Sequence, residues 1–186
     1  MRRFELIPLP LRGLVLAQRQ PLSDSRGFLE RMFCAEVFRD IGVNKPIAQV
    51  NHTLTRHQGT VRGLHYQKPP HSELKIVSCL RGQVFDVAVD LRAGSPTFLQ
   101  WHGEVLSQEN GTMLVIPEGF AHGFQTLTDE CEMLYFHTAS YAAEAEGGIS
   151  PLEPRLGIKW RLPIAELSKR DQSHPPLSSS YEGIVL

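Results

Sequence analysis

Leu74-Lys75-Ile76-Val77-Ser78-Cys79-Leu80-Arg81-Gly82-Gln83-Val84-Phe85-Asp86-Val87-Ala88-Val89-Asp90-Leu91 reads as two strands joined by a tight turn at Arg81-Gly82. The first arm is apolar behind Lys75. The second alternates, with Phe85, Val87, Val89 and Leu91 on one face and Asp86, Ala88 and Asp90 on the other, because successive strand side chains point to opposite sides. Two such runs around a glycine turn predict a β-hairpin.

The same signal repeats on both sides of this stretch. Ile47 to Thr55, Thr60 to Gln67, Thr97 to Leu106, Thr112 to Ile116, Phe120 to Leu127 and Cys131 to Thr138 are short apolar or alternating runs. Each is closed by Gly, Pro, Asn or Asp. Upstream, Phe4 to Pro8, Gly13 to Ala17 and Phe28 to Phe33 read likewise, the last entered through the turn Asp24-Ser25-Arg26-Gly27. Strands recurring about every ten residues predict an all-β sandwich or closed barrel. Only Ala35 to Ile41 and Ile164 to Arg170 suit short helices. Residues 144–154 read as a loop, and Pro175-Pro176 with Ser178-Ser179-Ser180 as a loose end. No repeat or composition break divides the chain, so one domain is expected over 1–186.

The chain has 186 residues, 41% apolar and 21% charged, with 19 basic against 20 acidic side chains for a net charge of -1. That balance excludes a broad electrostatic grip on nucleic acid or anionic membrane. Cys34, Cys79 and Cys131 form no metal-type spacing and no disulfide framework. Met1-Arg2-Arg3 is basic, but no signal-peptide core follows it and no run of about 20 apolar residues exists, so a cytoplasmic protein is expected.

The residues with chemical potential cluster around Thr60 to Pro70. His65 on a strand with Arg62 nearby is either a structural histidine or a base beside an anion-binding cation. Residues 62 and 65 have opposite parity, so a regular strand would separate them. Gly63 between them suits a bulge that resets parity. Tyr135 shares a strand face with Cys131, Met133 and His137, as a core aromatic or as a phenol donor in a pocket. Lys75 either snorkels at a strand end or stabilises an oxyanion. Asp171 is a surface acid or a partner for a base. No HxH pair supports a metal cupin, and no GxGxxG, GxxxxGK[ST] or GxSxG motif occurs.

Several motifs follow one another in a specific order: Asp24-Ser25-Arg26-Gly27-Phe28-Leu29-Glu30, Gln49-Val50-Asn51, Arg62-Gly63-Leu64-His65-Tyr66-Gln67, Arg81 to Arg92, Gly94-Ser95-Pro96-Thr97, Ile116 to Phe124 and Gly157-Ile158-Lys159-Trp160. Together they closely resemble the dTDP-4-dehydrorhamnose 3,5-epimerase family over about residues 5 to 177. The resemblance implies a cupin-type jelly roll with a few short, mainly C-terminal helices. It also implies a homodimer, no metal or organic cofactor, and a dTDP-linked 4-keto-6-deoxyhexose as substrate.

Carried over residue by residue, the family pattern implies His65 as base, Tyr135 as acid, Lys75 at the enolate and Asp171 as partner of the histidine. It implies substrate contacts at Arg26, Glu30, Gln49, Asn51, Arg62, His122, Tyr141, Glu146 and Arg170. The chain departs from the pattern at Phe136-His137-Thr138, at Ser140-Tyr141-Ala142, where one aromatic stands for two, and at Arg170, where lysine is usual. These departures surround the expected sugar pocket. Epimerisation at both C3 and C5 is therefore the leading expectation, beside a C3-only epimerase, a 3,4-ketoisomerase on the same fold, and a non-catalytic nucleotide-sugar-binding cupin.

Overall fold

The computed structural model describes residues 3–186; Met1 and Arg2 of the basic start lie outside the described residues. The strands are β1 (Phe4–Pro8), β2 (Val15–Arg19), β3 (Leu22–Asp24), β4 (Gly27–Leu29), β5 (Gln49–Thr55), β6 (Thr60–Gln67), β7 (Lys75–Arg81), β8 (Gln83–Asp90), β9 (Trp101–Ser107), β10 (Thr112–Ile116), β11 (Phe120–Thr126), β12 (Cys131–His137), β13 (Glu146–Gly148) and β14 (Glu166–Leu167). Two short helices accompany them, α1 (Ala35–Arg39) and α2 (Lys169–Gln172).

One sheet runs β1-β2-β10-β7-β12-β5 and the other β13-β6-β11-β8-β9, with β14 added in parallel to β6. From β5 to β8 each successive strand belongs to the opposite sheet, and β9 to β13 alternate again. Chain crossing of this kind makes a jelly roll. It also corrects the reading of the quoted stretch. Arg81-Gly82 does not close a hairpin, because β7 pairs with β10 and β12 while β8 pairs with β9 and β11. The turn is a corner between sheets. Gly82 has φ +74, and a Cβ there would meet the Thr128 hydroxyl at 2.6 Å.

The alternation along β8 is correct, but its faces are assigned by tertiary contacts. Val84 and Ala88 pack between the sheets with Val77, Leu114, Phe124 and Met133. Phe85, Val87, Val89 and Leu91 point the other way, under Ile149, Leu156, Trp160 and Ile184 of the C-terminal segment. Such burial stabilises by about 1.5–3 kcal/mol per large apolar side chain. The tail expected to be loose is therefore a covering layer. Ile184 bridges to Arg92, and Tyr181 stacks on Phe98 at 6.0 Å. On the far side of the first sheet, α1 places Phe38 against Phe4, Val15, Ile76 and Met113.

Other boundaries shift too. Residues 97–99 turn rather than extend, since Thr97 Oγ1 donates to Asp90 at 2.6 Å. Residues 146–148, within the expected loop, form β13 on the edge of β6. The C-terminal helix starts only at Lys169, capped by Ser168 Oγ accepting from Asp171 N. The helices divide evenly between the two ends of the chain rather than clustering at the C-terminus.

Candidate active site

A cavity of about 820 Å³ opens between the two sheets. β6 supplies its most informative wall. Arg62 faces Phe124 across β11 while His65 faces His122, so three steps on β6 match two on β11. That is a bulge, and it resolves the parity conflict: Arg62 and His65 both line the cavity. Gly63 makes it possible. Its φ is +124, and an added Cβ would lie 2.6 Å from Gly123 Cα and 2.8 Å from the His122 carbonyl. Gly63→Ala is accordingly expected to cost at least about 2 kcal/mol in thermal or denaturant unfolding and to lower turnover with it. Wild-type stability in that variant would remove the bulge from the account.

His65 Nε2 lies 2.8 Å from Asp171 Oδ1. Asp171 is only 2% exposed and also accepts from Gly63 N at 3.2 Å. Burial opposes its charge, but the hydrogen bond and charge of His65, with Gly63 N–H and Ser168, outweigh it and hold the carboxyl at about 2. A carboxylate ionised at any working pH accepts Nε2–H and leaves Nδ1 as the free lone pair. Arg170 Nη2 stands 2.9 Å from the same Nε2, held by Glu146 at 3.1 and 3.2 Å; with the Nε2 proton given to Asp171 both groups are donors, so this is a close approach of the guanidinium and not a hydrogen bond.

The facing sheet supplies Tyr135 on β12, flanked by His122 at 6.2 Å and His137 at 6.0 Å. Burial pushes the phenol pKa well above its ordinary value, so Tyr135 keeps its proton at neutral pH. Lys75, buried at the start of β7, pairs with Glu73 at 3.1 Å. His122 Nε2 meets both Asp86 oxygens at 3.0 and 2.9 Å. Gln49, Asn51, Tyr141, Glu146 and Arg170 also line the cavity.

Arg26 and Glu30 are the exceptions. Arg26 projects from the exposed β3–β4 hairpin and pairs with Asp24 at 2.6 Å, while Glu30 pairs with Arg19 at 2.9 Å. Neither lines the cavity of its own chain. Four groups were missed by the sequence reading. Asp86, Glu73 and His137 line the site or support its residues, and His174 packs edge-on to His65 at 6.4 Å. Alternation already aimed Asp86 opposite Phe85 and put His137 on the face of Tyr135, but nothing local paired either. The His174 ring occupies the space where Gly148 lacks a side chain. His65, Asp171 and His174 form the one trio of metal-ligand type atoms within 4.8 Å among the described residues. Arg170 beside Nε2 works against a second cation there.

Residues 8–179 match the family model described as dTDP-4-dehydrorhamnose 3,5-epimerase. A dTDP-4-dehydrorhamnose 3,5-epimerase of Sinorhizobium fredii is 41% identical over 91% of this chain and 87% of its own. A dTDP-4-dehydro-6-deoxyglucose 3-epimerase of a Streptomyces species is 37% identical over 93% and 89%. The crystal structure of an epimerase from Legionella pneumophila in complex with dTDP-4-keto-L-rhamnose is similar with a TM-score of 0.88 at 39% identity, over 92% and 91% of the two chains.

Proposed function

The chain belongs to the dTDP-4-dehydrorhamnose 3,5-epimerase family, and from that premise we propose that its cavity inverts C3 and C5 of a dTDP-linked 4-keto-6-deoxyhexose. One observation carries the chemistry. His65 on β6, paired with Asp171 of α2, and a protonated tyrosine on β12 stand in facing sheets that line one cavity.

The C4 ketone acidifies the hydrogens at C3 and C5. His65 removes one through Nδ1, and the imidazolium is stabilised by Asp171. Charge passes to the C4 oxygen as an enolate, where Lys75 donates. Tyr135 returns a proton from the opposite side, which inverts the centre. Its phenolate then recovers a proton from solvent and His65 releases its own, so the cycle balances with no redox change. Arg62 supplies a forked donor for diphosphate, and Gln49, Asn51, Tyr141, His122, Glu146 and Arg170 shape the nucleotide and sugar sites.

Two copies associate in this reading. Phe28, Leu29 and Leu22 on the β3–β4 hairpin are 69%, 63% and 43% exposed, a surface suited to a partner. A second copy seated there gives Arg26 and Glu30 a cavity to reach, which they lack in their own chain. No described helix is long and apolar enough to cross a membrane.

The deciding experiment is incubation with dTDP-4-keto-6-deoxyglucose in deuterated water, followed by NMR. Deuterium at both C3 and C5 of an inverted product is expected. Label at C3 alone identifies the single-centre activity named for the Streptomyces relative, and no label at either centre removes the epimerase assignment for this substrate.

A further inference from the structure

A hydrogen-bond chain runs along the cavity wall from its rim to Lys75. Tyr141 N donates to Gln49 Oε1 at 3.0 Å, and Gln49 Nε2 donates to Asn51 Oδ1 at 3.1 Å. Asn51 Nδ2 lies 3.4 Å from His137 Nε2, and His137 Nδ1 lies 2.7 Å from Glu73 Oε2. The other carboxylate oxygen, Oε1, meets Lys75 Nζ at 3.1 Å. The direction of every link is fixed from one end. A backbone N–H only donates, so Gln49 turns its carbonyl to Tyr141 and its amide nitrogen to Asn51. Asn51 then offers N–H to His137 Nε2, which must accept. The proton of a neutral His137 therefore sits on Nδ1 and points at Glu73.

The three inner side chains are nearly closed to water: Glu73, Lys75 and His137 are 8%, 11% and 11% exposed. Burial opposes the Glu73 charge, but His137 and Lys75 outweigh it and hold its carboxyl below the usual range. Glu73 is thus an anion beside the only lysine lining the cavity among the described residues, where an unshared carboxylate would quench the ammonium.

We propose that His137 is the positioning residue of Lys75: by engaging Glu73 Oε2 it confines Glu73 to a one-oxygen contact with the ammonium, leaving Lys75 donors free for the substrate oxygen. An ammonium has three N–H bonds, and one is spent on Oε1. Without the Nδ1 donor, Oε2 is a buried acceptor with no partner, and its nearest remedy is to close on Lys75 as well. This rests on the reading of Lys75 as the donor to the enolate oxygen. The competing role for His137 is packing alone, since its ring stacks on Tyr135.

Two near-isosteric variants separate the roles. The amide nitrogen of His137→Asn falls near Nδ1 and can still reach Glu73, whereas that of His137→Gln falls near Nε2 and cannot. His137→Asn is expected to keep kcat within about threefold of wild type, while His137→Gln loses about tenfold with KM little changed. Adding Glu73→Gln to His137→Gln is expected to restore kcat, because a neutral amide does not quench Lys75. Equal kcat for His137→Asn and His137→Gln, or no recovery in the double variant, overturns the inference. Lys75→Met is the control: if it turns over like wild type, the role of Lys75 falls instead. Far-UV circular dichroism establishes that each variant is folded, and a variant that does not fold leaves the remaining comparison, Glu73→Gln in the His137→Ala background, to decide by the same recovery.

Discussion

His65→Asn should lower kcat by about 10³-fold or more and abolish deuterium uptake from solvent at both C3 and C5. Both exchanges depend on one imidazole, so both should vanish together. Asp171→Asn should be slow as well, by about 10²-fold, because an amide cannot stabilise the imidazolium and can present N–H to Nε2, turning the free lone pair away from the substrate. Asp171 is held at about 2, so it is ionised wherever the protein works and its own titration does not shape the activity profile near neutrality. Turnover by NMR and single-turnover label uptake test this directly. Retained exchange at either centre in His65→Asn would assign that proton to another base. The cavity then offers His122, but its Nε2 is already committed to Asp86.

Tyr135→Phe should separate exchange from inversion. With His65 intact, protons at C3 and C5 still leave and deuterium still returns from the same side. What is lost is delivery from the facing sheet, so inverted product should fall by about 10²–10³-fold while labelled, uninverted substrate accumulates. The substitution removes one oxygen from a site packed between His122 and His137 and leaves the ring in place. Loss of exchange in parallel with inversion would show that Tyr135 does not act as the acid. The raised phenol pKa agrees with the donor role, since a buried phenolate is unfavourable and the proton is retained until the carbanion draws it.

These two predictions depend on different sheets, and that is where sequence and tertiary structure part. Periodicity along β8 and β12 was readable because strand side chains alternate whatever the surroundings. The bulge at Gly63 was readable for the same reason: two residues of opposite parity needed a break, and glycine stood between them. The pairing of Arg81-Gly82 was not readable. A tight turn between apolar runs has the same local sequence whether it closes a hairpin or turns the chain into the opposite sheet. Only the neighbours of β7 and β8, brought in from β9 to β12, distinguish the two. What covers the face of Phe85 was not readable either, because its cover comes from residues 149–184, far along the chain.

The sequence by itself determined the strand content, the candidate residues and, through their order, the family. Those properties are local or additive, and local physics suffices for them. Tertiary structure decided what each candidate faces. It brought Asp171 from a four-residue helix to His65, joined Glu73 and Lys75 at the start of β7 to His137 at the end of neighbouring β12, and left Arg26 outside the cavity of its own chain. Each is a long-range contact between groups whose spacing in the chain carries no record of their meeting. Their partners are fixed only once burial of the apolar faces has set the two sheets against each other.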